Sequence, residues 1–410
     1  MVEKRFKISG VGCALVDYLF SPVDFAGETF SRYISVKAGD GGLYPGKLVF
    51  RDEFEIFSGK DYMDVREQLT EANPPVTLNI GGPSIVSLIH AAQILEGTPA
   101  EVYFYGSKGR DKDALFIDER LQKTPLKIGK YKVSDQYTAF TDVLSDPNYD
   151  HGLGERIFIN NIGAAWDLYP DDMDEVFFES DMVIFGGTAL VPHIHRSLLE
   201  LLKKAKTKKA VTVVNTVYDF LNEKNNPGKP WPLGDTMETY RYIDLLITDM
   251  EEALRLSGQA TVEGALSFFK RTGVGAVIVT HGANPLYYFC NNELFGRVEG
   301  CKPVSERVRN RIVQYPELVG DTTGCGDNFA GGAIASIALQ LMNPLQKRVN
   351  IDEVIALATV SGGYACFYHG GTYYEEYPGQ KRELIEPYYR DYLFQKVNQS
   401  LMPDYSDFNG

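Results

Sequence analysis

Gly320-Asp321-Thr322-Thr323-Gly324-Cys325-Gly326-Asp327-Asn328-Phe329-Ala330-Gly331-Gly332 is the stretch on which the fold turns. Gly324 and Gly326 flank Cys325, so the backbone there can turn tightly and direct successive N–H groups to one side. A helical period follows at once: Phe329, Ala333 and Ile337 share a face, with Ala330, Ile334 and Ala338 beside it. The pattern predicts a helix beginning near Gly326, with Asp327 in its first turn. Such an end carries unpaired N–H groups and the positive pole of the helix dipole, which favour an anion. Asp327 stands where that anion would react, and Gly331 and Gly332 permit close approach of a neighbouring element. A carboxylate able to take a hydroxyl proton, beside amides able to take up charge, is what phosphoryl transfer to a hydroxyl needs. The plainer reading is an acidic residue that complements a helix dipole and needs no ligand.

Outward from this stretch the chain alternates apolar strand-like runs with amphipathic helices. Buried-type strands are expected at 101–105, 181–185, 210–214, 243–248 and 276–280, and helices at 85–95, 198–206, 352–368 and 381–398. Half-buried strands are expected at 138–143 and 156–159. This alternation predicts an α/β fold, a mostly parallel sheet covered on both faces in three layers. Residues 23–58, with runs such as Arg-Tyr-Ile-Ser-Val and Lys-Leu-Val-Phe, read as short strands joined by turns. Residues 221–235, rich in Asn, Pro and Gly, read as an irregular surface loop rather than a boundary between domains.

Several positions on this scaffold suit ligands. Residues 5–12 form a strand pattern ending in Gly10 and Gly12. Asp17 lies just beyond its carboxyl end, where an open α/β sheet presents ligand groups, although a solvated loop carboxylate would look the same. Gly81 and Gly82 precede Pro83 at a strand-to-helix turn, where a ligand could reach the backbone. Asp249 and Glu252 sit three apart at a helix start, as ordinary dipole complements do. Gly41, Gly46 and Lys47 have nearly P-loop spacing. Position 48 is Leu rather than a Mg²⁺-holding hydroxyl, so that reading is set aside. His193 and His195 read as part of a helix start, and Ala358, Ser361 and Gly362 as small residues able to flank an adenine.

Bulk composition narrows the classes further. The 410 residues are 44% apolar, enough for a substantial core. A net charge of −14 with no basic run argues against nucleic-acid or anionic-membrane partners. No window approaches a membrane span, and the charged start, Met1 to Lys7, has no apolar run behind it, so no signal peptide is expected. Five cysteines at 13, 290, 301, 325 and 366 have no metal-ligand spacing; reduced thiols and a cytoplasmic setting are expected.

The run Asp-Thr-Thr-Gly-x-Gly-Asp-x-Phe-x-Gly-Gly resembles the signature of the ribokinase-like (PfkB-type) carbohydrate kinases. Gly10-x-Gly12 with Asp17, Gly81-Gly82, Asp249-x-x-Glu252 and Thr280-x-Gly282 resemble that family's other motifs, in its order. The segment Gly42-Leu-Tyr-Pro-Gly-Lys-Leu-Val-Phe50 is similar to its adenosine-kinase-like branch. The resemblance implies one ribokinase-like domain over 1–410, a three-layer α/β/α sandwich with a small β lid from about 20–60 and parts of 100–160. It implies Asp327 as catalytic base, the amides of Gly324, Cys325 and Gly326 as anion hole, and Asp17, Gly81 and Gly82 as substrate groups. Thr280 and Gly282 would lie near the nucleotide, Asp249 and Glu252 would organise Mg²⁺ through water, and Asp321 would help bind a monovalent cation such as K⁺. The expected activity is ATP-dependent phosphorylation of a sugar-like alcohol, with a nucleoside kinase and a non-catalytic sugar- or nucleoside-binding protein as alternatives. A homodimer through the lid is an expectation too. Two positions depart from the family: Asp249 replaces its usual Asn, and Val86 replaces an Asn that points at the sugar.

Overall fold

The computed structural model describes residues 5–37, 39–152, 154–320 and 322–399. Fourteen strands occur among the described residues: β1 (Phe6–Gly12), β2 (Leu15–Phe20), β3 (Leu48–Phe50), β4 (Thr77–Gly81), β5 (Ala100–Lys108), β6 (Lys127–Val133), β7 (Phe140–Asp146), β8 (Glu155–Asn161), β9 (Met182–Gly186), β10 (Val211–Asn215), β11 (Leu245–Asp249), β12 (Ala276–His281), β13 (Asn284–Asn292) and β14 (Gly296–Lys302). Nine of them form one sheet in the order β14-β13-β12-β11-β10-β9-β1-β5-β6. Neighbours from β12 through to β6 run parallel, while β13 and β14 return antiparallel at one edge. Strand order reverses at β1, which lies between β9 and β5, so a crevice for ligands is expected at the carboxyl ends of the strands near it.

Residues alternate between the two faces of this sheet and so build two cores. Met182 and Ile184 of β9 join the helices Pro83–Leu95, Cys325–Leu341 and Ile351–Tyr364 on one side. Val183 and Phe185 join Leu198–Thr207, Met250–Ser257 and Val262–Thr272 on the other. The result is helix, sheet and helix in three layers. Because both faces are covered, β9 reads Met-Val-Ile-Phe-Gly with every residue buried, rather than alternating apolar and polar. No helix among the described residues is long and apolar enough to cross a membrane.

The other five strands form a second sheet in the order β3-β8-β7-β2-β4. β2 pairs parallel with β7 and antiparallel with β4, setting Asp17 opposite Asn79 on one side and Thr141 on the other.

The expectation of strands throughout 23–58 is corrected. Among the described residues of this segment only Leu48–Phe50 is a strand; Arg51–Ser58 and Glu28–Ser31 are helices, and Ile34 makes one isolated bridge to Leu43. The run Phe54-Glu-Ile-Phe57 alternates like a strand, but Asp52 and Glu53 favour a helix start and Gly59, left-handed at φ 66°, ends it. The same strand, following Gly46 and Lys47, removes the helix that a P-loop requires. The 221–235 segment is not wholly a surface loop. Phe220–Asn225 is helical, and Trp231 is 3% exposed, its indole N–H donating to Glu223 Oε2 at 3.0 Å. The β13–β14 hairpin and the helix Glu306–Gln314 were not anticipated from the sequence.

Candidate active site

The helix from the opening motif runs Cys325–Leu341, with Gly324 at its N-cap in the left-handed conformation, φ 75°. A side chain at 324 would run into the Gly371 Cα, so glycine is required there on two counts. Gly326 is exposed, and a Cβ there would meet nothing within 4 Å. The N–H groups of the first turn have no carbonyl inside the helix to bond. The Cys325 N–H turns back to the Thr322 carbonyl at 3.3 Å, and Gly326 beside it has open space around it. Asp327 keeps part of its surface open, yet removal from water by the surrounding protein pushes its carboxyl up to about 6.

Gly331 and Gly332 hold this helix in place. A Cβ at 331 would strike the Ser87 carbonyl and approach His90 Cβ to 2.8 Å; at 332 it would come within 2.5 Å of Ser361 Oγ. The helix therefore lies directly on Pro83–Leu95 and on Ile351–Tyr364. Ala358 and Ser361 are fully buried, and a Cβ at Gly362 would meet the Cys325 carbonyl at 2.9 Å. These three small residues thus serve helix packing.

Asp17 sits on β2 with its carboxylate against Gly81: a Cβ there would overlap Asp17 Oδ2 and lie 2.6 Å from its Cγ. Gly82 is left-handed at φ 108° and caps the Pro83–Leu95 helix, with Pro83 at its first position. A Cβ at Gly82 would lie 2.6 Å from the Cys13 carbonyl. The Cys13 thiol is pushed up to about 12, first by burial and then by the Asp17 charge.

A turn at 368–372, which sequence reasoning missed, joins these two regions. Asn79, opposite Asp17, donates from Nδ2 to the carbonyls of His369 at 3.0 Å and Thr372 at 3.1 Å. Thr372 Oγ1 donates to the Ile80 carbonyl at 3.0 Å. On the other side, Asn328 Nδ2 donates to the carbonyls of Gly324 and Gly371, both at 2.8 Å. Asn328 Oδ1 accepts from Tyr368 OH at 2.9 Å and from Lys381 Nζ at 2.8 Å. Lys381 is fully buried; burial brings its ammonium down to about 7, with Glu375 opposing. Nothing in the sequence marks Lys381, but Asn328 directly follows Asp327, and Gly370-Gly371 is a visible turn signal. The turn also explains Val86: its methyl groups lie 3.1 and 3.2 Å from where a Gly371 side chain would begin, so it packs there rather than pointing to a sugar.

The remaining site residues gather at the carboxyl ends of β11 and β12, where Asp249 pairs with Thr280. Asp249 and Glu252 form a reciprocal helix cap: Asp249 Oδ1 accepts from the Glu252 N–H at 2.8 Å, and Glu252 Oε2 from the Asp249 N–H at 3.4 Å. Glu252 Oε2 also accepts from Thr216 Oγ1, and from Thr248 Oγ1 at 3.4 Å. Burial first, and the Asp249 charge second, push the Glu252 carboxyl up to about 7. Thr280 Oγ1 donates to the Thr248 carbonyl at 3.4 Å. Gly282, φ 54°, has open space around it in the turn from β12 to β13. Asp321 lies outside the described residues. His195 is buried and structural, with Nδ1 2.9 Å from Thr188 Oγ1 and Nε2 3.2 Å from the Pro232 carbonyl oxygen.

Comparison with known proteins bears on the family and the fold. A family profile described as pfkB family carbohydrate kinase matches residues 57–376. The chain is 28% identical over 284 residues to an adenosine kinase of Schizosaccharomyces pombe, covering 65% of this chain and 75% of that one. The structure of an adenosine kinase from Schistosoma mansoni in complex with 2-fluoroadenosine superposes with a TM-score of 0.64 at 16% identity, over 90% of this chain and 98% of that one. A ribokinase from Thermotoga maritima superposes with a TM-score of 0.59 at 18% identity, over 94% and 99%. At these identities the two superpositions bear on the fold.

Proposed function

This chain belongs to the pfkB family of carbohydrate kinases, and from that premise we propose that it transfers the γ-phosphoryl group of ATP to a hydroxyl of a sugar or sugar-like alcohol. The observation that carries the reading is Asp327. Its carboxyl, brought to about 6, stands in the first turn of a helix beside the open Gly326. Asp327 accepts the proton of the attacking hydroxyl, and the amides of the 324–326 turn receive the charge of the transferring group, that of Cys325 by giving up its 3.3 Å bond to the Thr322 carbonyl. Asp17, with the backbone of Gly81 and Gly82, holds the alcohol. Thr280 and Gly282 border the nucleotide.

Asp249 and Glu252 fit Mg²⁺ that keeps its waters. They place two hard oxygen donors together, but Glu252 is already bonded to Thr216, Thr248 and the backbone. Among the described residues no group of three or more His, Cys, Asp and Glu could hold a metal. When bound, the ion spreads the negative charge of the phosphates.

A nucleoside is the narrower reading of the same site, favoured by the likeness to the S. pombe adenosine kinase. Measuring ATP consumption over hexoses, ketohexoses, ribose and nucleosides decides it. Turnover confined to nucleosides selects the narrower reading, and ligand binding without any turnover rejects catalysis.

Two results are expected once a substrate is in hand. Below about pH 6 Asp327 is protonated and cannot act as base, so kcat/KM should fall about tenfold per pH unit. A profile flat from pH 7 to 5 would remove Asp327 from that role. Gly81→Ala forces the Asp17 carboxylate aside. Losing one charged hydrogen bond costs about 1.5–3 kcal/mol, so KM for the alcohol should rise roughly 10- to 100-fold with KM for ATP unchanged. An unchanged alcohol KM counts against Asp17 as a substrate ligand.

A further inference from the structure

Two of the five cysteines meet beside the catalytic turn. Cys325 Sγ and Cys366 Sγ lie 3.5 Å apart, although 41 residues separate them in sequence. Cys325 opens the 325–341 helix, while Cys366 lies in the short Ala365–Phe367 turn leading to residues 368–372. Backbone contacts register the two segments on either side of the sulfurs. The Gly320 N–H donates to the Cys366 carbonyl at 2.8 Å, and Gly324 packs on Gly371.

We propose that Cys325 and Cys366 form a reversible intramolecular disulfide that switches off phosphoryl transfer, with a peroxide as oxidant. The inference rests on the reading of residues 324–327 as the transfer site. In the first step one thiolate attacks the O–O bond of hydrogen peroxide, giving a sulfenic acid and releasing water after proton uptake. The second thiolate then displaces the sulfenic oxygen, which leaves as a second water. The two thiols lose two electrons and two protons, and the peroxide gains both pairs. A dithiol reductant reverses the bond by exchange.

The surroundings favour this pair over Cys13 and Cys290. Cys13 and Cys290 are buried, and burial first pushes both thiols up to about 12, away from the reactive thiolate. Cys325 and Cys366 are both partly exposed, and Cys325 stands at a helix N-terminus, where the dipole favours negative charge. The consequence for activity is geometric. A disulfide holds its sulfurs about 2.05 Å apart, so the pair must close by roughly 1.5 Å. Gly324 is already against Gly371, and Gly362 is against the Cys325 carbonyl, so the backbone on that side cannot follow freely. The open flank is at Gly326. The strain therefore falls on the amides of 324–326, where a displacement of about 1 Å can cost on the order of 100-fold in rate.

The test treats the full-length protein with hydrogen peroxide, alkylates the remaining thiols, and maps disulfides by peptide mass spectrometry. The expected result is a cross-link joining the peptides that carry Cys325 and Cys366. A loss of ATP-dependent turnover of at least tenfold should accompany it, and dithiothreitol should restore activity. Cys366→Ser, or Cys366→Ala if the first folds poorly, should keep basal activity and resist peroxide. Absence of the cross-link overturns the proposal, as does a cross-linked protein that is fully active, or a Cys366 variant as sensitive as the native chain. ATP affinity by calorimetry is a second readout, expected to weaken at least tenfold on oxidation. A reduced protein that turns over no alcohol at all counts against the kinase reading instead. In that case the cross-link and the ATP affinity still decide the switch, and an affinity unmoved by oxidation rejects it.

Discussion

Asp327→Asn is expected to lower kcat by at least 10²–10⁴, the usual worth of a positioned general base, while the protein folds and binds ATP as before. The amide has the same shape as the carboxylate, and what raises the Asp327 carboxyl is burial. Removing a carboxyl that the fold holds reluctantly in its charged form should therefore not destabilise the chain. Single-turnover kinetics, with thermal unfolding and ATP titration on the same sample, check all three parts. A variant retaining more than about a tenth of native turnover contradicts the assignment, since that exceeds what is left without a base.

A pair of alanine substitutions in one helix should give opposite results. Gly331→Ala places a methyl group on the Ser87 carbonyl and close to His90 Cβ, and a backbone oxygen cannot rotate aside. Overpacking of this kind costs about 1–3 kcal/mol, and the upper end is expected here because both obstacles belong to a fully buried helix. Gly326→Ala meets nothing within 4 Å and replaces glycine near the helix start, so stability should hold or rise slightly. Its methyl group would nevertheless occupy the space assigned to the transferring phosphoryl group, and turnover should drop at least tenfold. Urea denaturation and initial rates on both proteins separate the effects. A Gly331→Ala protein as stable as the native chain would show that the contacts at 331 relax at little cost. Full activity in Gly326→Ala would place the phosphate elsewhere.

Much of the fold was legible because its central strands are short apolar runs closed by glycine or polar residues. Met182–Gly186 and Ala276–His281 fall within one residue of expectation, since burial on both faces leaves few other readings for such runs. The helix at Cys325 was legible from the glycines before it and the period after it. The 51–58 helix was not, because the apolar residues of Phe54-Glu-Ile-Phe57 satisfy two periodicities, and the signals that select the helix, Asp52, Glu53 and Gly59, lie outside that run. At the candidate site, Asp327, Asp17 and the Asp249–Glu252 pair stood out by type and spacing. The capping geometry of that pair also follows from the plain helix-start reading. Asn79, Asn328 and Lys381 did not stand out as a group. Their partners lie up to 293 residues away in sequence, a range at which no local pattern carries information.

The 368–372 turn is gripped by Asn79 from the second sheet and by Asn328 from the helix that begins at Cys325. The edge that would cradle an alcohol and the end that would meet a phosphate are thus geared through five residues. Replacing either asparagine by alanine would free the turn from one of these two anchors.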